Sequence, residues 1–312
     1  MKIVFMGTPE FAASVLRELV ERSYEVAAVY TRPDAPAGRG QMSGISPVKR
    51  LSEKHRLKTV QPKSLRTSEI QKELQALAPD IIIVAAYGLI LPQLVLDMPR
   101  LGCLNVHASL LPRHRGAAPV AAAIIAGDSF TGISLMLMDS GIDTGAVYSR
   151  HAVPIFDYDT TGSLIKRLAL VGGQALLDLL PRIERGTIRA MPQPAGEDSY
   201  APMLDKTAGH IDWRQSAPVI WRLVRALQPW PGAFSTWEGR NLKLLQTIPL
   251  DIHTAAKPGT VVELPPGKAA EVGVATGSGV LGLIKLQLEG KRPVNASDFR
   301  RGQRSFTGSI LS

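Results

Sequence analysis

One cysteine, Cys103, stands in a chain of 312 residues. An intramolecular disulfide is therefore excluded, as is any metal site built from several thiolates. This usage fits a reducing compartment. Cys103 sits in the apolar run Cys103-Leu104-Asn105-Val106-His107, where a buried, inert thiol is expected rather than a nucleophile. No apolar run reaches the ~20 residues that span a bilayer. No signal-peptide pattern precedes the first strand, so the expected location is cytoplasmic. Internal repeats and low-complexity tracts are absent. So is the G-x-G-x-x-G spacing: Gly7-Thr8-Pro9-Glu10 follows the first apolar strand without it, which leaves a nicotinamide cofactor poorly supported. That segment is either a helix start able to receive an anion or a plain strand-to-helix turn. No cluster of ligands for a metal stands out, and none is expected.

What remains is an ordinary soluble composition, 45% hydrophobic and 20% charged, with length enough for two domains. The net charge is +9. It divides as +4 over residues 1–185, −1 over 186–209 and +6 over 210–312. Such an excess suits a polyanionic partner, although solubility alone also accounts for it.

The first 185 residues alternate strand and helix patterns. Strands are expected at 2–6, 24–30, 80–86, 102–106 and 133–138, the later three as apolar runs of the kind buried in a parallel sheet. Helices are expected at 10–21, with Pro9 at the first helical position, and at 47–56, 68–78, 117–126 and 161–183. This order predicts an α/β, doubly wound, Rossmann-like domain over 1–185. Residues 186–209 hold Pro192, Pro194, Gly196, Pro202 and Gly209 without a sustained period and read as a linker. Over 210–312 a helix at 217–227 precedes short strands at 233–237, 241–247, 259–263, 270–275 and 280–288. That pattern predicts a small C-terminal β-barrel of the oligonucleotide-binding type.

Two segments carry chemistry. LNVHASLLP at 104–112 sets an amide, Asn105, two residues before an imidazole, His107. On a strand both side chains share a face. MDSGIDTG at 138–145 supplies a carboxylate, Asp143, in a glycine-flanked turn. Converging, the three could polarise a carbonyl and move protons. A polar strand end and a turn aspartate also occur without catalysis, and spacing alone leaves both readings open.

The pattern NVHxSLLPxxRGxxP followed by MDxGxDTG resembles the formyltransferases that use 10-formyltetrahydrofolate. The matching positions are Asn105, His107, Ser109, Leu110, Leu111, Pro112, Arg115, Gly116, Pro119, Met138, Asp139, Gly141, Asp143, Thr144 and Gly145. FMGTPEFAA, TRPDAPAGRG, SPVK, AYGLILP, IDW, PWPGA and VATGSGVLGL extend the likeness along nearly the whole chain. They resemble the branch of the family whose acceptor is methionyl initiator tRNA.

The resemblance implies transfer of a formyl group from 10-formyltetrahydrofolate to the methionyl α-amine. Asn105 and protonated His107 would stabilise the oxyanion, and Asp143 would support His107 and relay protons, with no metal. It implies a folate pocket lined by Tyr87, Gly88, Leu89 and Ile90 on one side and by Ser109, Leu110, Leu111 and Pro112 on the other. The alternative for those leucines and Ile90 is plain core packing. It implies tRNA contacts from Arg39 in the glycine-rich loop, and Lys49, Lys206, Lys285, Lys291 and Arg292 are the further candidates. A monomer is expected. The chain departs from the family where Gln41, Met42, Ser43 and Gly44 replace lysines after GRG, and where Lys206-Thr207-Ala208-Gly209-His210 replaces a more charged stretch. Those changes bear on tRNA contacts and leave the three polar residues untouched. The competing readings are a formyltransferase acting on an amino-sugar nucleotide and a non-catalytic tRNA-binding protein.

Overall fold

A computed structural model describes residues 1–37 and 42–312, with side chains over 1–34 and 44–312. The chain separates into two compact units. One comprises Met1–Pro119, Phe130–Pro154 and Ile165–Ala201; the other comprises Val120–Ser129, Ile155–Leu164 and Pro202–Ser312. Among the described residues no helix is long and apolar enough to cross a membrane.

Up to residue 201 the elements are β1 (Lys2–Gly7), α1 (Glu10–Glu21), β2 (Glu25–Tyr30), β3 (Ala35–Ala37), β4 (Met42–Gly44), α2 (Pro47–Lys54), β5 (Thr59–Val60), α3 (Ser68–Ala76), β6 (Ile81–Ala85), α4 (Gln93–Leu96), β7 (Cys103–His107), β8 (Arg115–Gly116), α5 (Pro119–Ala126), β9 (Phe130–Leu137), β10 (Val147–Pro154), α6 (Thr161–Glu184) and β11 (Tyr200–Ala201). Pro9 takes the N-cap of α1, one place earlier than expected, and its carbonyl accepts the Ala13 N–H at 3.0 Å. Ser46 caps α2 by accepting the Lys49 N–H at 3.1 Å, with Pro47 behind it, a pairing that satisfies one orphan donor and presets the next φ.

Seven strands form the main sheet in the order β10-β9-β7-β6-β1-β2-β5. β6 (IIIVA) and β7 (CLNVH) are buried at every position, as strands covered on both faces must be. From β7 to β5 the neighbours run parallel. β9 does not: it is antiparallel to both β7 and β10, which corrects the parallel reading of 133–138. A continuous apolar run signals burial but carries no information on direction. β10 escaped the sequence reading because VYSRHAVP is polar and half exposed, as befits an edge.

The strand order reverses between β1 and β6, so their carboxyl ends form the crevice where open α/β sheets take ligands. Gly7 allows the close approach there: a Cβ on it would lie 2.5 Å from the Ala12 Cβ and 2.8 Å from the Ala85 carbonyl oxygen. Thr8 Oγ1 bridges the crevice, donating to the Tyr87 carbonyl at 3.0 Å.

The second unit holds a 3-10 turn at Thr207–Gly209, α7 (Ala217–Ala226), β12 (Ala233–Trp237), β13 (Arg240–Leu250), β14 (Val261–Glu263), β15 (Val272–Ala275), β16 (Val280–Leu288), β17 (Val294–Asn295) and α8 (Ala296–Gly302). Its antiparallel sheet runs β12-β13-β16-β15-β14, with β17 on β16. β13 is longer than expected, and register shifts at Leu244/Gln246 and Gln246/Thr247 increase its curl. Residues 308–312 span the two edges. Val261 donates to the Ser309 carbonyl at 2.8 Å, Leu311 donates to Gly259 at 2.9 Å, and Thr236 of β12 exchanges bonds of 2.6 and 3.1 Å with Ser312. The open edges are thereby covered. Trp237 fills the interior against the edges of Phe299 and Phe306, at centroid distances of 5.3 and 5.5 Å.

Candidate active site

β7 ends on Asn105 and His107, both nearly buried at 9% and 6% exposure. After β9 the chain turns through MDSGIDTG. Asp139 Oδ1 ties this turn from within, accepting the Gly141 N–H at 3.0 Å and the Thr144 hydroxyl at 2.7 Å. A Cβ at Gly145 would overlap the Leu137 carbonyl oxygen. Asp143 adopts a left-handed φ of 53°, a conformation that costs most residues but that aspartate tolerates. The carboxylate is thereby turned back onto β7.

There Asp143 Oδ1 accepts an N–H of Asn105 at 3.2 Å. Its Oδ2 lies 3.5 Å from His107 Nδ1 and accepts the backbone N–H of Gly116 at 2.8 Å. His107 Nε2 donates to the His114 carbonyl at 3.1 Å, since a carbonyl only accepts. Both ring nitrogens therefore face oxygens. Asn105 spends one of its two amide hydrogens on Asp143. The arrangement brings an amide donor, an imidazole and a carboxylate together across 38 residues of chain.

The eight residues expected around a folate divide by environment. Tyr87 is 2% exposed and its ring belongs to the sheet core. Burial pushes its hydroxyl well above the usual tyrosine range, so only its backbone remains for a ligand. Ser109 is fully buried and donates to the Arg113 carbonyl at 2.6 Å. Leu111 packs with Met136 and Val147, and Pro112 is buried. Core packing thus describes Tyr87, Ser109, Leu111 and Pro112. Leu89 and Leu110 are half-buried, Gly88 is exposed with φ of 81°, and Ile90 is 74% exposed. Gly88 also presents its carbonyl to the Arg32 guanidinium at 3.1 Å.

The cation candidates are also distinct in kind. Arg39 lies outside the described residues. Lys49 is committed to Asp34, with Nζ 2.5 Å from Oδ2. The Lys49 ammonium and the Gln61 amide hold the Asp34 carboxyl below the usual range. Lys206, Lys285, Lys291 and Arg292 are exposed, Lys285 on β16 opposite Asn295 and the last two in the β16–β17 turn. Arg300 and Arg301, by contrast, pair with Glu263, Glu271 and Asp298.

Sequence reasoning missed one side chain at the site. Gln193 lies in the stretch read as a linker, yet its amide donates to the carbonyls of Asp143 and Gly145, each at 2.8 Å. Arg115 in turn donates to Gln193 Oε1 through Nε at 3.2 Å and Nη2 at 2.8 Å. β11 pairs with β8 alongside. A neutral residue in a proline-rich stretch leaves no periodic or motif signal that could have found it. Among the described residues no group of three or more His, Cys, Asp or Glu is placed to hold a metal ion.

Comparisons with known proteins bear on the family to which the chain belongs. Residues 1–180 match the formyl transferase family, and residues 203–304 match the formyl transferase C-terminal domain. A methionyl-tRNA formyltransferase of Dehalococcoides mccartyi is 48% identical over 315 residues, covering 100% of this chain and 98% of that one. Another, of Aromatoleum aromaticum, is 47% identical over 302 residues, covering 97% and 94%. Among solved structures, an N-formyltransferase of Helicobacter canadensis in complex with folinic acid and dTDP-3-aminofucose superposes with a TM-score of 0.66. It is 17% identical, over 91% of this chain and 99% of that chain, a likeness of fold alone. Two matched family domains and near-half identity along the entire length place this chain in the formyltransferase family.

Proposed function

We propose that this chain transfers a formyl group from 10-formyltetrahydrofolate to the α-amino group of methionyl initiator tRNA. The observation that carries the reading is the meeting of Asn105, His107 and Asp143 at the carboxyl edge of the sheet. It occurs in a chain similar over its full length to methionyl-tRNA formyltransferases.

The residues present fit a folate. Gly88 offers exposed backbone at the crevice, and Ile90 is a large apolar side chain left uncovered beside it. These suit the polar edge and flat face of a heterocycle, with Leu89 and Leu110 as partly covered apolar walls. The bound folate supplies the formyl group, whose bond to the folate nitrogen is exchanged for one to the methionyl amine. Asn105 directs its remaining amide hydrogen at the negative charge that grows on the formyl oxygen. The imidazolium of His107 adds positive charge beside it and, by exchanging a protein oxygen for the substrate, a second donor. Asp143 balances that charge and orients both groups. A free α-amine titrates at roughly 7.7–8.0, so a neutral, nucleophilic fraction exists near pH 7. Its proton leaves as the leaving nitrogen gains one, and Asp143 with His107 forms the relay.

The exposed cations Lys206, Lys285, Lys291 and Arg292, together with Arg39, are the proposed phosphate contacts. Residues 1–185 carry the reacting groups in this reading, 186–209 join the domains while bringing Gln193 onto the turn of Asp143, and 210–312 add tRNA affinity. The enzyme works as a cytoplasmic monomer, where translation begins.

The deciding assay measures formyl transfer from 10-formyltetrahydrofolate to methionine-charged initiator tRNA, beside charged elongator tRNA. Transfer to the initiator alone is the expected result. Transfer to neither, with an amino-sugar nucleotide accepted instead, overturns the reading.

A further inference from the structure

Asp143 owes its place to something outside its own turn. Aspartate tolerates a left-handed φ without being confined to it, so the conformation of the turn has to be held by its hydrogen bonds. Asp139 ties the first half of the turn, from Gly141 to Thr144. The second half presents two carbonyls, those of Asp143 and Gly145, that converge on one amide nitrogen, Gln193 Nε2, at 2.8 Å each.

The orientation of that amide is itself fixed. Arg115 donates two N–H groups to Gln193 Oε1, and a guanidinium has no acceptor. The oxygen must therefore face Arg115 and the NH₂ must face the turn. Arg115 precedes Gly116, whose N–H binds the Asp143 carboxylate at 2.8 Å. A closed circuit results: Gln193 holds the turn by its backbone, Arg115 orients Gln193, and the next residue holds the carboxylate. Its links join positions 50 and 78 residues apart in sequence.

We infer that Gln193 is a positioning residue, setting the Asp143 carboxylate against Asn105 and His107 through the backbone of the turn. This rests on the catalytic reading of Asp143 given above. Glutamine is required on chemical grounds. A glutamate of the same size would keep Arg115 but turn a carboxylate oxygen toward two carbonyls. Methionine would keep the volume and remove both donors without adding charge.

The test uses the full chain as Gln193→Glu and Gln193→Met, each alone and with Asp143→Asn. It reads kcat and KM for both substrates, the thermal midpoint and folate binding. Misplacing a reacting group by about 1 Å can cost on the order of 100-fold, so each single variant should lose roughly 10- to 100-fold in kcat with both KM values near wild type. In the Asp143→Asn background the same substitutions should cost less than about twofold, the non-additivity of residues acting through one group. Wild-type kcat in folded Gln193→Met, or equal losses in the two backgrounds, overturns the inference while leaving the catalytic reading of Asp143 intact. Wild-type turnover in Asp143→Asn alone overturns that reading and the inference with it.

Discussion

At the scale of single residues, the site is economical with its hydrogens. Asn105 has one amide hydrogen committed and one to offer, whereas His107 has both nitrogens turned to protein oxygens. The donation expected from both groups is therefore immediate only for Asn105, whereas His107 must first exchange a protein oxygen for the substrate. Asn105→Ala, His107→Ala and Asp143→Ala should each lower kcat by about 10²–10³, the usual cost of removing one preorganised donor or its support. Binding of charged tRNA, read by filter retention, should stay close to wild type. A parallel loss of binding would contradict the assigned roles. A two-residue spacing on a strand put Asn105 and His107 on a shared face, and the resemblance of NVHxSLLP to the formyltransferases supplied their expected role. Gln193 was not legible, because its role is made by carbonyls 48 and 50 residues away.

At the scale of elements, two ties hold pieces that propensity alone would leave loose. The start of β1 is anchored by Asp80, which accepts the Lys2 N–H at 2.7 Å and the Arg100 Nε–H at 2.6 Å. These bonds, the Lys2 N–H first, hold the Asp80 carboxyl below its ordinary 3.8. A carboxyl lowered on folding contributes stability above its unfolded value and loses it as pH falls through the folded one. Melting of Asp80→Asn between about pH 6 and pH 3 should therefore fall less steeply than wild type; identical slopes would remove Asp80 from the acid response. In the second unit, residues 308–312 cover the edges of β12 and β14, and Leu311 is 2% exposed. Burying one leucine contributes about 1.5–3 kcal/mol, so deleting these residues should lower that unit's calorimetric transition by on the order of 5–10 °C. An unchanged transition would show that the edges need no cover. Strand and helix positions were largely legible from period and punctuation. The direction of β9, the edge strand β10 and this cover were not, since each depends on which neighbour lies alongside.

At the scale of the whole molecule, the net charge of +9 is distributed between cations already neutralised and cations left exposed. Lys49, Arg300 and Arg301 are paired, whereas Lys285, Lys291 and Arg292 stand in water. Binding of tRNA should weaken steeply with salt through counterion release. Replacing Lys285, Lys291 and Arg292 by glutamine should reduce the slope of log K against log salt by about one for each phosphate no longer neutralised. Turnover at saturating tRNA should remain unchanged. A slope equal to wild type would move the tRNA footprint away from this turn.

The sequence by itself determined the α/β class of the first unit and the antiparallel β class of the second. It also carried the family's two signature segments and hence the three polar residues at the site. Periodicity, turn chemistry and short motifs are local, and local patterns survive in one dimension. Tertiary structure alone decided which cations are already paired, which folate-segment residues are buried, and how the turn bearing Asp143 is held. Those outcomes depend on distances between groups tens of residues apart, set only when the strands take their order and the apolar runs close over one another.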